Sequence, residues 1–236
     1  MSAANYAFAP VAQPVVPIVG SEKLYPVHRV FCVGRNYAEH AKEMGVEVDR
    51  EAPFYFLKPA TGIVVSPATT PYPPGTKNYH YEMELVVALS GSAFHILAAQ
   101  ALDIVFGYAT GFDMTRRDLQ QESRGKGRPW DTGKAVEQSA IISPIVLKDS
   151  FGTVGAQAIT LTLNSATKQS AHLSDLVWSV SEIIAHLSTL YHLGPGDLIY
   201  TGTPAGVGPV VPGDHLVGRI DGLPDTELTI GAPEKI

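Results

Sequence analysis

The sequence predicts a mixed α/β domain that is mostly β, with helices at its periphery. Short β-rich runs recur between Gly and Pro residues, as strands usually do. Only a few stretches carry helical signals. Strands and helices do not follow one another in the regular alternation of a β-α-β chain, which separates this sequence from the parallel α/β folds.

Taken in order, residues 1–24 form a Pro-rich arm, extended and packed across the main body. The arm is apolar, but it lacks a basic leader and is broken by prolines, so it reads neither as a signal peptide nor as a membrane span. Residues 25–236 read as one domain. Its strand candidates are "HRVFCVG", "PFYFLKP", "ELVVALSG", "ITLTLN", "DLIYTGT" and "HLVGRIDG". Helices are expected at 38–44, stopped by Gly45, at 96–105, at 116–122, and in "SVSEIIAHLSTLYHLG". In that last segment Ser179 and Glu182 have capping-box spacing, and Gly194 follows the end.

Composition narrows the function classes. The 236 residues are 45% hydrophobic and 17% charged, an ordinary globular balance with ample material for a core. A net charge of -6 leaves no basic footprint for nucleic acid. The single cysteine, Cys32, cannot form an intramolecular disulfide and suits a reducing compartment. No run approaches the roughly 20 apolar residues needed to cross a bilayer, so no membrane association is expected and a cytoplasmic location is.

The stretch "YHYEMELVV" raises a physical question. Residues i and i+2 of a strand share a face, so Glu82 and Glu84 stand side by side in an otherwise apolar run. A hard divalent cation would cancel their repulsion. A solvated strand edge, or pairing with Lys or Arg, would also account for an isolated pair. Asp113, in "FGYATGFDMTRRDLQ", ends a β-rich run just before a helix and can reach the same site or cap that helix. Arg117 and Gln120 follow on one helix face. In "GRNYAEHAKEMG", His40 and Glu43 are three apart, the spacing at which a carboxylate can orient an imidazole to take a proton from water. A solvated, charged helix gives the same pattern.

Other strings contribute less. "GRPWDTGKA" is not a P-loop: the glycine spacing is wrong and Ala135 stands where a Ser or Thr would hold magnesium, though Lys134 remains a cation for an anionic substrate. "YTGTPAGVGP" offers backbone N–H groups and the Thr203 hydroxyl as a carboxylate cradle, or a plain tight loop. Lys58 is a further cation. Cys32, within "VFCVG", reads as core.

Together, "GRNYAEHAKEM", "FYFLKPAT", "HYEMELVV", "FDMTRRDLQ", "KGRPWDTGKA" and "GDLIYTGTPAGVGP" resemble the fumarylacetoacetate hydrolase family, in the family's order and over about residues 25–231. The chain is most similar to its short acylpyruvate and fumarylpyruvate hydrolases. The resemblance implies a β-sandwich roll, a homodimer, and Mg²⁺ or Mn²⁺ (Ca²⁺ as a substitute) at the centre of the site. It makes residues 25–236 a single catalytic domain. It assigns Glu82, Glu84 and Asp113 to the metal, His40 and Glu43 to water activation, Lys134, Arg117 and Gln120 to oxyanion and substrate contacts, and Thr203 to the substrate carboxylate. Where many members have an "NGE" turn, this chain has Asn164-Ser165-Ala166.

The reaction so implied is hydrolytic cleavage of the C–C bond of a 2,4-dioxo acid, with fumarylpyruvate giving fumarate and pyruvate in the catabolism of aromatic compounds. Arg35, Lys58, Arg116 and Arg117 are cations for a second substrate carboxylate. Two alternatives share the scaffold: decarboxylation of oxaloacetate or isomerisation of a dioxo acid, and non-catalytic ligand binding.

Overall fold

The computed structural model of the protein describes residues 6–43, 45, 50 and 52–234. The expected architecture, mixed and mostly β, is what it contains. An eight-stranded mixed sheet runs in the order Phe54–Lys58, Arg29–Gly34, Asp197–Tyr200, Met83–Leu89, Val105–Asp113, Ala140–Ile142 and Ile63–Val65, with Val146–Leu147 paired beside Val105–Asp113. A five-stranded sheet orders Ala166–His172, Ala158–Leu163, His215–Ile220, Thr226–Gly231 and Ala68–Pro71.

Alternation along the central strands builds two cores. Leu85, Val87 and Leu89 join Phe112, Ile159, Leu161, Leu216 and Leu228 between the two sheets. Val86 and Ala88 point the other way, to Val30, Cys32, Leu198 and Tyr200. Both faces of the segment Leu85–Leu89 are therefore apolar, which is why it reads as one unbroken hydrophobic run. Glu84 shares the face of Val86 and Ala88.

The N-terminal segment seals that second face. Val15–Pro17 pairs antiparallel with Leu24–Pro26, and Val16, Ile18, Tyr25 and Val27 are buried there. The Tyr25 hydroxyl donates to Leu89 O at 2.7 Å and lies 2.9 Å from Asp197 O.

The helices lie outside the sheets. Val180–Leu190 is capped by Ser179 and Glu182, as its spacing predicts. Ala38–Glu43 is helical, while Met44 lies outside the described residues. The helix expected at 96–105 is instead a run of 3₁₀ turns, Ala98–Ile104. Its two buried residues, Ala101 and Ile104, are three apart, a spacing that the tighter helix places on one side. Asn164 and Ser165 form the tip of the hairpin joining Ala158–Leu163 to Ala166–His172, both at positive φ. No helix among the described residues is long and apolar enough to cross a membrane.

Candidate active site

The antiparallel register of Met83–Leu89 against Val105–Asp113 brings three carboxylates together. Glu84 pairs with Gly111, and Glu82 O accepts the Asp113 N–H at 2.9 Å. Glu82, Glu84 and Asp113 are all buried, and each offers an oxygen such that the three lie within 4.8 Å of one another. Asp113 is no helix cap: the helix Arg117–Gly125 has no side-chain cap at its start.

Three cations hold this nest. Lys134 Nζ donates to Glu82 and Asp113 at 2.7 Å each, and to Thr115 Oγ1 at 2.7 Å. Arg117 grips the other oxygen of Glu82. Lys58 Nζ lies 2.9 Å from Asp113 Oδ1, but aims its hydrogens at Met114 O, Lys134 O and Ser139 Oγ. Lys58 is thus neither a surface cation nor open to a ligand, and Asp113 Oδ1 is left buried with no hydrogen bond.

The charges sort accordingly. Burial pushes the Glu84 carboxyl up, and Asp113 and Glu82 push it further, well above the usual carboxylate range. Burial would do the same to Glu82, but Lys134, Arg117 and His40 hold it well below. Burial opposes the charge on Lys134, yet Asp113 and Glu82 more than offset it, and its pKa is raised.

His40 and Glu43, one turn apart on Ala38–Glu43, meet at 3.1 Å between Nδ1 and Oε2. With Nδ1 turned to the carboxylate, Nε2 is the basic nitrogen. The loop 201–206 supports both halves of the site: Gly202 N–H donates to Glu84 at 2.7 Å, and Gly206 N–H to Glu43 at 3.2 and 3.3 Å. Those N–H groups, expected to cradle a ligand carboxylate, are occupied by carboxylates of the protein.

His40, Glu82, Glu84, Arg117, Gln120, Lys134 and Thr203 line one pocket, walled by Phe56 and Trp130. Arg117 donates to Gln120 Oε1 at 2.6 Å, which leaves the Gln120 amide nitrogen as a donor for the pocket. Arg35 also lines it, as does Arg124, which sequence reasoning did not single out. Gln169 was missed as well. It is buried on the five-stranded sheet and bonds both Met83 N–H and the Thr203 hydroxyl. Nothing local marks it, because its partners lie 86 and 34 residues away.

The donor set fits a divalent cation: three convergent carboxylates are hard oxygen ligands, and Asp113 Oδ1 accepts no hydrogen bond although Lys58 Nζ stands 2.9 Å from it.

This fold and this acidic pocket define a class, and residues 29–231 match the family described as "Fumarylacetoacetate (FAA) hydrolase C-terminal". The chain belongs to the fumarylacetoacetate hydrolase family. A fumarylpyruvate hydrolase from Ralstonia sp. is 54% identical over 193 residues, which are 81% of this chain and 100% of that protein. The mitochondrial oxaloacetate tautomerase of Mus musculus is 40% identical, over 82% of this chain and 87% of that protein. The crystal structure of fumarylpyruvate hydrolase from Pseudomonas aeruginosa, in complex with Mn²⁺ and pyruvate, superimposes with a TM-score of 0.94 at 45% identity. It covers 97% of this chain and 100% of that one.

Proposed function

We propose that this protein is a divalent-metal-dependent hydrolase that cleaves the C3–C4 bond of a 2,4-dioxo acid, fumarylpyruvate above all, to fumarate and pyruvate. One observation carries the reading: Glu82 and Glu84 of the three-carboxylate nest line the same pocket as His40, whose imidazole is held by Glu43. The likeness to fumarylpyruvate hydrolases supports the choice of substrate.

Glu82, Glu84 and Asp113 would hold the cation. When bound, it would act as a Lewis acid towards the 2-oxo acid end and would stabilise the negative charge that develops there. His40 Nε2 takes a proton from water, with Glu43 keeping the imidazole oriented and stabilising its charge. The water oxygen adds to C4, and the C3–C4 bond breaks with its electron pair leaving on C3. A proton returned to C3 completes pyruvate. The Gln120 amide and the Arg117 guanidinium are the donors for the C4 oxyanion, each worth about 2.7–4 kcal/mol in such a role. Lys134 holds the nest together, and Thr203 contacts a substrate carboxylate.

Mg²⁺ is the resident cation in this reading, with Mn²⁺ its near equivalent and Ca²⁺ a substitute. Residues 25–236 form the catalytic domain of a cytoplasmic homodimer acting in aromatic-compound breakdown. The tautomerase relative supports a second reading, keto–enol exchange of a 2-oxo acid in the same nest without an attacking water. Product analysis separates the two. EDTA-stripped protein, reconstituted with Mg²⁺ or Mn²⁺, is given fumarylpyruvate, acetylpyruvate and oxaloacetate. Pyruvate with the matching acid establishes hydrolysis. Dioxo acids left intact while enol-oxaloacetate is consumed would replace it with tautomerisation.

A further inference from the structure

Gln169 lies on the strand Ala166–His172, in the other sheet from the carboxylate-bearing strands, and is fully buried. Both ends of its amide are engaged. Oε1 accepts the N–H of Met83, the residue between Glu82 and Glu84, at 3.0 Å. Nε2 donates to Thr203 Oγ1 at 2.8 Å and to Pro204 O at 2.7 Å. The chemistry of these partners fixes the amide's orientation. Met83 N–H can only donate and Pro204 O can only accept, so a flipped amide would set N–H against N–H and oxygen against oxygen.

This has a consequence for Thr203. A hydroxyl has one hydrogen, and a side-chain oxygen already accepting from an amide must donate in some other direction. Among the described residues Thr203 Oγ1 has no hydrogen bond except that from Gln169, and Thr203 lines the pocket beside Glu84 and His40. We propose that Gln169 is a positioning residue that locks the Thr203 hydroxyl as a donor into the pocket, so that the site demands an oxygen acceptor, a carboxylate or keto oxygen of the ligand, at that point. The inference rests on the 2-oxo acid reading above and assigns polarity to one of its contacts.

The test uses the full-length protein loaded with Mn²⁺ and measures pyruvate binding by calorimetry, with Mn²⁺ affinity read separately by electron paramagnetic resonance. Gln169→Met keeps the length of the side chain but frees Thr203 to rotate. It is expected to weaken pyruvate about tenfold, the scale of a hydrogen bond to a charged group, with Mn²⁺ affinity within about twofold. Thr203→Val should cost about the same, and Thr203→Ser should retain near-native affinity. The double variant Gln169→Met/Thr203→Val should be no weaker than Thr203→Val alone, because Gln169 acts through that hydroxyl.

Additive losses, or unchanged pyruvate affinity in Gln169→Met, would overturn the role. So would loss of Mn²⁺ binding in Gln169→Met, which would make the residue a scaffold for the Met83 segment. Should Gln169→Met not fold, Gln169→Glu serves in its place. Its carboxylate turns the Thr203 hydrogen towards itself, and pyruvate binding no better than in Thr203→Val is expected, with near-native binding refuting the proposal. Wild-type protein that takes Mn²⁺ but no pyruvate refutes the 2-oxo acid reading instead, a failure visible before any variant is made.

Discussion

Gly206 donates its backbone N–H to both carboxylate oxygens of Glu43, so the carboxylate paired with His40 is held from a loop 163 residues away in the chain. Gly202, in the same loop, holds Glu84. Both glycines sit at φ +99°, a conformation that L residues rarely adopt. A side chain at Gly206 would also run into the Lys168 carbonyl. Gly206→Ala should therefore displace the loop and with it Glu43. A shift of about 1 Å in a positioning element can cost about 100-fold in rate, and that is the loss expected in kcat on fumarylpyruvate. Mn²⁺ affinity, measured alongside, should change far less.

His40→Ala removes the imidazole nitrogen that the proposed mechanism uses to take the proton from water. Hydrolysis should fall by about 10²–10⁴-fold, the usual contribution of a general base. The variant should still bind Mn²⁺, since its three carboxylates are intact. Full hydrolytic activity in this variant would end the water-activation role.

Glu84 supplies a pH dependence. Burial beside Asp113 and Glu82 raises its carboxyl above the unfolded value. In metal-free protein its contribution is therefore fully present below the ordinary carboxylate range. That contribution is lost as the pH climbs towards the folded value. A bound cation requires the ionised form and expels the proton. The gain in Tm on adding Mn²⁺ should accordingly grow as the pH is raised, and binding in a weakly buffered solution should release acid. A Tm gain independent of pH would contradict this assignment.

Lys58→Met tests the buried pairing. It removes a cation from beside Asp113 and leaves the Met114 and Lys134 carbonyls short of a donor. Breaking one partner of a buried pair costs about 3–5 kcal/mol, to be read from urea unfolding of the stripped protein. Added Mn²⁺ should restore part of the loss by supplying positive charge to the same carboxylates.

What could be read along the chain was whatever depends on neighbours. Glu82 and Glu84 are two apart, His40 and Glu43 three, Arg117 and Gln120 three, and Ser179 and Glu182 three. Strand and helix geometry turn those intervals into contacts before any tertiary structure is known. The burial of Lys58 against Asp113, the Gly202 and Gly206 contacts, and the bonds of Gln169 all cross between segments far apart in sequence. No periodicity encodes them. The short strands Ile63–Val65 and Ala68–Pro71 escaped for a related reason, since each is defined by a parallel partner distant in the chain. At 98–104 a helical composition was legible, but the tighter turn was set by packing.

The three cations around the nest have an electrical meaning. Lys58, Lys134 and Arg117 match Glu82, Glu84 and Asp113 charge for charge, so once every carboxylate is ionised these six groups sum to zero. A divalent ion would then bring two uncompensated positive charges in among buried side chains, where such an excess is costly. The occupant that restores balance is a dianion. Between two ligands sharing a pyruvyl end, the loaded cage is expected to favour the one whose remote end carries a second negative charge.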